Sequence, residues 1–351
     1  MISILHWDGT TKTCNSSSAD RLPPTAADVL PDDVWWLDLS DPTPEEEELV
    51  FGKFFRVHTL TREDIAKPRR EPEQGSHLPK VEEFPDYLLV IVNPLPPGLT
   101  DALNATPKGE RPPTASAALA RRKHHPQLSA VLNHRVLVTH HYQQLDCVTE
   151  TRSYLERHAE AAGRGPDFLF HHVLDAMVDE YAPVVERVAA RLDGLETRLF
   201  KRPTPTLLAR LLRIKRVVSG LRKTLILERE VLARLIRGEF ALVDEREVAY
   251  YRNVYDHLVR YTELIESARE MVSDLMETHL AATSNRLNQV MKVLTMISTT
   301  ILPMALVSGI YGMNFKHMPE LEWEYGYPMA LGIMLMLAVA SLLFFRWRKW
   351  L

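Results

Sequence analysis

The stretch Val293-Leu-Thr-Met-Ile-Ser-Thr-Thr-Ile-Leu-Pro-Met-Ala-Leu-Val-Ser-Gly-Ile310 decides the fold, because it runs for 18 residues without a charge. A bilayer core takes about 17–25 such residues per helix. A second uncharged run, Met329–Phe345, is 17 residues long and follows after a gap of 18. Together they predict a transmembrane hairpin, with spans over 291–313 and 327–346 joined by a loop at 314–326. Phe344, Phe345, Arg346, Trp347, Arg348, Lys349 and Trp350 close the second run as an interfacial anchor. Thr295, Ser298, Thr299, Thr300 and Ser308 make the first run partly polar, as in a lined path or a helix contact.

Orientation follows from basic residues. Arg286 and Lys292 precede the first span, and Arg346, Arg348 and Lys349 follow the second. The loop between them carries Lys316 beside Glu320, Glu322 and Glu324. Both termini, including the tail 347–351, are therefore expected in the cytoplasm, in a multi-pass protein of the inner (plasma) membrane. The start Met1-Ile-Ser-Ile-Leu-His-Trp-Asp8 has neither the basic start nor the long apolar core of a signal peptide.

Outward from the hairpin, 351 residues lead to an expectation of two domains. A net charge of −4 excludes a strongly basic nucleic-acid binder. Two cysteines, Cys14 and Cys147, exclude a disulfide framework and a cysteine-based zinc site.

Residues 1–165 read as a cytoplasmic α/β domain with a mixed sheet. Ile2–His6, Val34–Leu39, Tyr87–Val92 and Val136–Thr139 are its predicted strands. Pro42-Thr43-Pro44-Glu45 opens a helix with an acidic first turn. The segment 93–126, rich in Pro, Ala and Thr and ending in Arg121-Arg122-Lys123-His124-His125, reads as a flexible loop. Its Asn104-Ala105-Thr106 matches a glycosylation acceptor, which carries no meaning in a cytoplasmic loop.

From Pro166 to 290 the apolar period becomes helical, giving a stalk. One helix is expected over Asp167–Phe200 and a second over Thr206–Ile236, with Pro203 and Pro205 in the turn of an antiparallel hairpin. A third starts near Asp244. It meets no proline until Pro303 and no glycine until Gly309, so it is expected to run unbroken into the first span. At about 1.5 Å per residue it reaches roughly 90 Å or more, which calls for neighbours such as a bundle of identical chains.

On that helix Asn288, Met291, Leu294, Ser298, Leu302, Ala305, Gly309 and Gly312 follow at spacings of 3 or 4 and form one stripe. In a symmetric oligomer the stripe stacks into rings, with a polar ring at Asn288 and an apolar constriction at Met291 and Leu294. Small residues also gather where helices pack in lipid, and periodicity does not choose between the two.

Tyr311-Gly312-Met313-Asn314-Phe315, followed by Met318-Pro319-Glu320-Leu321, stands between the two spans in an acidic loop. With Asn288–Thr295, Tyr251–His257, Trp36–Leu39, Glu63–Ile65 and the closing Lys349-Trp350-Leu351, it makes the chain resemble the CorA family of magnesium channels. The resemblance covers nearly the whole chain. It is least clear over 1–30 and over 93–126, where the Pro-rich stretch looks like an insertion.

The resemblance implies an α+β membrane protein, a funnel-shaped homopentamer that spans the lipid bilayer and admits Mg²⁺, and Co²⁺ with it, down the membrane potential. It implies that Gly312, Met313 and Asn314 form the selectivity loop, with Gly312 allowing a tight turn. Holding the ion through its waters suits Mg²⁺, which dehydrates reluctantly. It also implies regulation by cytoplasmic Mg²⁺ shared between neighbouring heads, the matching positions being Glu63, Asp64, Asp175 and Asn253. Asn253 departs from the pattern, which has an acid there, so inhibition by internal Mg²⁺ is expected to be weaker or shifted. Asp179 and Glu180, one turn beyond Asp175, are candidates to compensate.

Other chemistries are weakly supported. His124, His125, His134, His140, His141, His171 and His172 offer no His-x₃-His pair with a carboxylate base, and they read as surface or interface residues. No phosphate-cradling glycine loop is present, so neither a nucleotide partner nor ATP-driven pumping is expected, and no residue constellation suggests an enzyme. The alternatives are a Zn²⁺ transporter of the related zinc branch and a non-conducting, membrane-anchored metal sensor.

Overall fold

A computed structural model describes residues 1–17, 22–96, 99, 126–201, 204–313, 318 and 323–350. Two compact units divide the chain, Met1–Leu275 and Met276–Leu351.

The first unit is built on a seven-stranded mixed sheet. Its strands are β1 (Ile2–Asp8), β2 (Thr13–Ser17), β3 (Val34–Ser40), β4 (Lys80–Phe84), β5 (Tyr87–Val92), β6 (Leu128–Leu132) and β7 (Val136–His141). They lie in the order β2-β1-β3-β7-β6-β5-β4, and only β3 and β7 pair in parallel, Trp35 opposite Val136 through Ser40 opposite His141. The four predicted strands are all present. β5 is an unbroken apolar run because it is buried on both faces.

Helices cover both faces. Thr43 caps α1 (Pro44–Glu47) by accepting from Glu46 N–H at 3.3 Å, and a π-helical turn, Glu48–Phe54, continues it. Val50, Phe51 and Phe54 of that turn, with Ile65 of α2 (Thr59–Arg70), close over Leu37, Leu39, Leu89, Ile91, Val131 and Val138. On the other face α4 (Pro166–Asp179) packs on β3 and β7 beside α3 (Asp146–Arg157). There the Trp36 indole donates to Thr139 Oγ1 (3.0 Å), and that hydroxyl donates to Asp38 Oδ1 (2.7 Å).

Three expectations change. The stretch Asp167–Phe200 is two helices, α4 and α5 (Tyr181–Lys201), broken at Glu180. Pro183 lacks the N–H that would bond Asp179 and its ring crowds that carbonyl, so the first helix stops. The edge strands β2 and β4, and β6, were not anticipated. Third, not all the histidines read as surface or interface residues are so: His140, His141 and His171 are buried inside the chain, whereas His134 is exposed. His140 faces Glu47 (3.2 Å) and His141 faces Asp38 (3.1 Å), while His171 packs among Phe168, Tyr250 and Tyr251.

Helix α6 (Pro205–Ile236) carries a fully buried carboxyl, Glu228. One oxygen accepts from Asn93 N–H at 3.1 Å, and the other has no partner among the described residues. Tyr181 donates to Asn93 O alongside, at 3.0 Å. Burial pushes Glu228 up to about 8, with those donors pulling the other way.

Helix α7 is continuous over 64 residues, Val248–Tyr311. In the second unit, its last part and α8 (Gly326–Trp347) are the two helices long and apolar enough to cross a membrane. Phe345 is buried against Trp350, and Lys292 reaches Lys349 O (3.4 Å) and the Trp350 ring (5.6 Å).

Candidate functional site

The residues assigned to metal sensing fall in two places in the first unit. Glu63 and Asp64 ride on α2, which is anchored by buried Ile65 and by Tyr87 Oη, bonded to Thr61 Oγ1 (2.8 Å). Anchoring that face turns Glu63 to solvent and leaves Asp64 half-buried. Asp64 is already compensated: Lys80 Nζ of β4 lies 2.7 Å from Oδ2 and His77 Nε2 lies 3.4 Å from Oδ1. Burial works against the Lys80 charge, yet Asp64 and Glu82 outweigh it and hold the ammonium above its usual pKa.

Asp175 stands on α4 with Asp179 one turn on, and α7 brings His257 against both. Their ligand atoms all lie within 4.8 Å of one another, with His257 Nδ1 3.6 Å from Asp179 Oδ1. Burial raises Asp175 above the usual carboxylate range, and the Asp179 charge raises it further. Asn253 is exposed on α7, one turn before His257. Glu180 does not join this group. It faces Asp146, Cys147 and Glu150, and burial followed by the Asp146 charge takes it to about 7. The spacing explains the difference, since Glu180 follows Asp175 by five residues, about 140° round a helix from it, whereas Asp179 follows by four.

His257 is the ligand type that sequence reasoning missed. Its signal was present, because it follows Asn253 by the same single turn that separates Asp179 from Asp175.

In the second unit, Asn288, Met291, Leu294, Ser298, Leu302, Ala305 and Gly309 all lie on α7 and all are exposed in the single chain, Leu302 at 73 %. Thr295 and Thr300 donate back to Met291 O and Met296 O, both at 2.8 Å, which satisfies their hydroxyls inside the helix. Pro303 leaves Thr299 O without its helical donor. Gly312 follows the helix end, its N–H donating to Ser308 O at 3.0 Å. It lies in the turn that ends the helix, where a Cβ would lie 3.0 Å from Ser308 O. Met313 is exposed, whereas Asn314, Lys316, Glu320 and Glu322 lie outside the described residues, as do 97, 98 and 100–125 of the Pro-rich segment.

Comparison with known proteins agrees with this architecture. The family described as CorA-like Mg²⁺ transporter protein matches residues 31–349. The chain is 32 % identical over 301 residues to the cobalt/magnesium transport protein CorA of Thermotoga maritima, spanning 86 % of this chain and 78 % of that one. The complete structure of the CorA magnesium transporter of Methanocaldococcus jannaschii superposes with a TM-score of 0.74 at 19 % identity, covering 99 % of this chain and 98 % of the other. The cytoplasmic domain of ZntB from Vibrio parahaemolyticus covers 81 % of this chain and 99 % of its own, at a TM-score of 0.56 and 14 % identity. At those identities the two structures share a fold with this protein. The profile match and the Thermotoga relative carry the assignment further: the chain belongs to the CorA-like Mg²⁺ transporter family.

Proposed function

We propose that the protein is a homopentameric, passive influx channel for Mg²⁺, and for Co²⁺, in the inner membrane, with both termini in the cytoplasm and no enzymatic step. The observation that carries this reading is the final stretch of α7. It is apolar, exposed along its whole length in one chain, and bears the Asn288–Gly309 stripe. Exposed apolar surface of that extent calls for cover, and lipid on one side with copies of the chain on the other supplies it.

Five stripes then line the path. Asn288 supplies a polar ring and Met291 with Leu294 an apolar gate that closes by dewetting. Gly312, Met313 and Asn314 hold the hydrated ion at the outer mouth, where an intact water shell avoids the dehydration Mg²⁺ resists. An inside-negative potential contributes about 2.3 kcal/mol per charge per 100 mV, and twice that for a divalent ion. Cytoplasmic Mg²⁺ closes the path by bridging neighbouring heads through Glu63, Asp64, Asp175 and Asn253. Lys80 on Asp64 and the neutral Asn253 both lower the negative charge of that bridge, so inhibition is weak.

The test is ion uptake into liposomes holding purified protein, wild type beside Asn314→Ala. Mg²⁺ entry that follows an inside-negative potential and disappears in the variant supports the channel. Zn²⁺ entry following a proton gradient, with little Mg²⁺, moves the protein to the zinc branch, a reading that the imidazole of His257 favours. No entry of either ion into liposomes of folded pentamer leaves a non-conducting sensor.

A further inference from the structure

We propose that one end of the second unit, where Lys292 of α7 meets the turn that closes α8, seats the phosphate headgroup of an anionic phospholipid.

Three observations converge. The first is charge without compensation. Arg286, Lys292, Arg346, Arg348 and Lys349 lie toward this end, whereas the sequence has no Asp or Glu between Glu277 and Glu320 or after Glu324. Among the described residues none of these cations has an acidic partner, and Arg346, Arg348 and Lys349 stand exposed. The second is the turn itself. Trp350 N–H donates to Phe345 O at 2.9 Å, Lys349 N–H donates to Arg346 O at 3.1 Å, and Trp350 stacks on Phe345 at 5.7 Å. That is a glycine-favoured way to end a helix, yet its left-handed residue is Lys349, with φ 55°. A residue held where glycine is free points to a side chain kept for its own sake. The third is the placement of Lys292. Its ammonium donates to Lys349 O at 3.4 Å and lies 5.6 Å from the centre of the Trp350 ring, so two of its three N–H donors have no partner among the described residues.

The chemistry chooses the occupant. Lys292 is a fixed cation beside an apolar ring, at the level where an uncharged span gives way to basic residues. A phospholipid brings both complements, a phosphate and acyl chains. Basic groups just cytoplasmic of a span attract anionic lipid by about fivefold each. The seat goes beyond that diffuse attraction, because specific contacts set Lys292 and the backbone of Lys349. Arg286, six residues before Lys292 on the same helix, makes no such contact among the described residues. The proposal rests on the membrane reading of α7 and α8 above, and not on conduction.

The experiment uses full-length protein in a neutral detergent, titrated with short-chain phosphatidylglycerol, short-chain phosphatidylcholine or inorganic phosphate. Binding is followed by the shift in thermal unfolding and by native mass spectrometry of retained lipid. Wild type is expected to bind the anionic lipid roughly tenfold or more tightly than the zwitterionic one, and to respond little to inorganic phosphate. Lys292→Gln should lose about fivefold or more of that affinity, and Lys292→Arg should keep it. Arg286→Gln, the same loss of charge outside the seat, should change it by less than about twofold. Lys349→Gly should unfold no earlier than wild type without lipid, since glycine suits the turn, yet bind the anionic lipid about fivefold more weakly. Equal losses in Lys292→Gln and Arg286→Gln would reduce the seat to diffuse attraction and overturn it. Equal affinity for the two lipids overturns it too, as does a shift from inorganic phosphate as large as that from phosphatidylglycerol. Liposome uptake on the same preparations separates this from the transport reading. Lipid preference intact with no Mg²⁺ entry strikes the channel, and Mg²⁺ entry with no lipid preference strikes the seat.

Discussion

Two carboxylate groups of the first unit carry similar sequence credentials and opposite electrostatics. Asp64 has a resident cation, the Lys80 ammonium at 2.7 Å. Asp175 has a second carboxylate one turn away and, among the described residues, only the His257 imidazole to offset it. A position matched to a metal ligand by its place in a sequence can therefore already be neutralised by its own fold. The group left without a counter-ion is the one with a vacancy for charge. Glu228 marks the limit of the same contrast, since it is buried with a single backbone donor and is kept neutral by its proton.

The largest effect that would sharpen the contrast is on Glu228. Its folded pKa is raised to about 8 from a model-peptide value of 4.5, so the folded state binds the proton more tightly. Its contribution to stability is complete below pH 4.5 and is lost as the pH rises through 8. Glu228→Gln, which resembles the protonated acid, should flatten the fall in unfolding temperature between pH 6 and 9. The gain near pH 9 should be on the order of 3 kcal/mol. Parallel curves for the two proteins would break the comparison at its buried end.

Lys80→Met comes next. It leaves half-buried Asp64 with only the His77 ring beside it and should destabilise the protein by about 1–3 kcal/mol in denaturant unfolding. Millimolar Mg²⁺ should restore part of that loss, while wild type responds little. An equal Mg²⁺ response in both would mean that Lys80 does not stand in for a metal.

Asn253→Asp adds one negative charge per subunit beside His257. Mg²⁺ protection of the head against proteolysis should shift to roughly tenfold lower concentration, about 1.4 kcal/mol. Protection as tight in wild type would show that the amide is no handicap. The smallest effect is Asp179→Asn in metal-free buffer, which relieves a like-charge pair at i,i+4 and should stabilise by about 0.2–0.5 kcal/mol. A destabilised variant would show that the pair is compensated after all.

The sequence made the membrane hairpin and the central strands legible, because Val293–Ile310 has no charge and Tyr87–Val92 is apolar at every position. It hid β4, whose Lys80-Val-Glu-Glu-Phe84 alternates weakly because an edge strand has one open side. Missing β4 hid Lys80 as well, and with it the charge state of Asp64. The burial of His140 and His141 was illegible for another reason. Their partners Glu47 and Asp38 are about 90 to 100 residues away, and no local period reports a pairing of that range. The break at Glu180 was legible in Pro183, but the apolar stripe on both sides of it masked the signal.

The parallel pairing of β3 with β7 has a consequence for how the protein is made. Trp35 must wait for Val136, about 100 residues downstream, before that edge of β3 is covered. At roughly 5–20 residues per second, a ribosome leaves Trp35, Leu37 and Leu39 one-sided for about 5–20 seconds. Until then β1–β2–β3 can form only as an open three-stranded template rich in apolar side chains, apart from the β4–β5 hairpin. A chaperone that binds nascent chains should therefore dwell on this protein between the emergence of Ser40 and that of His141, well before either membrane helix leaves the tunnel.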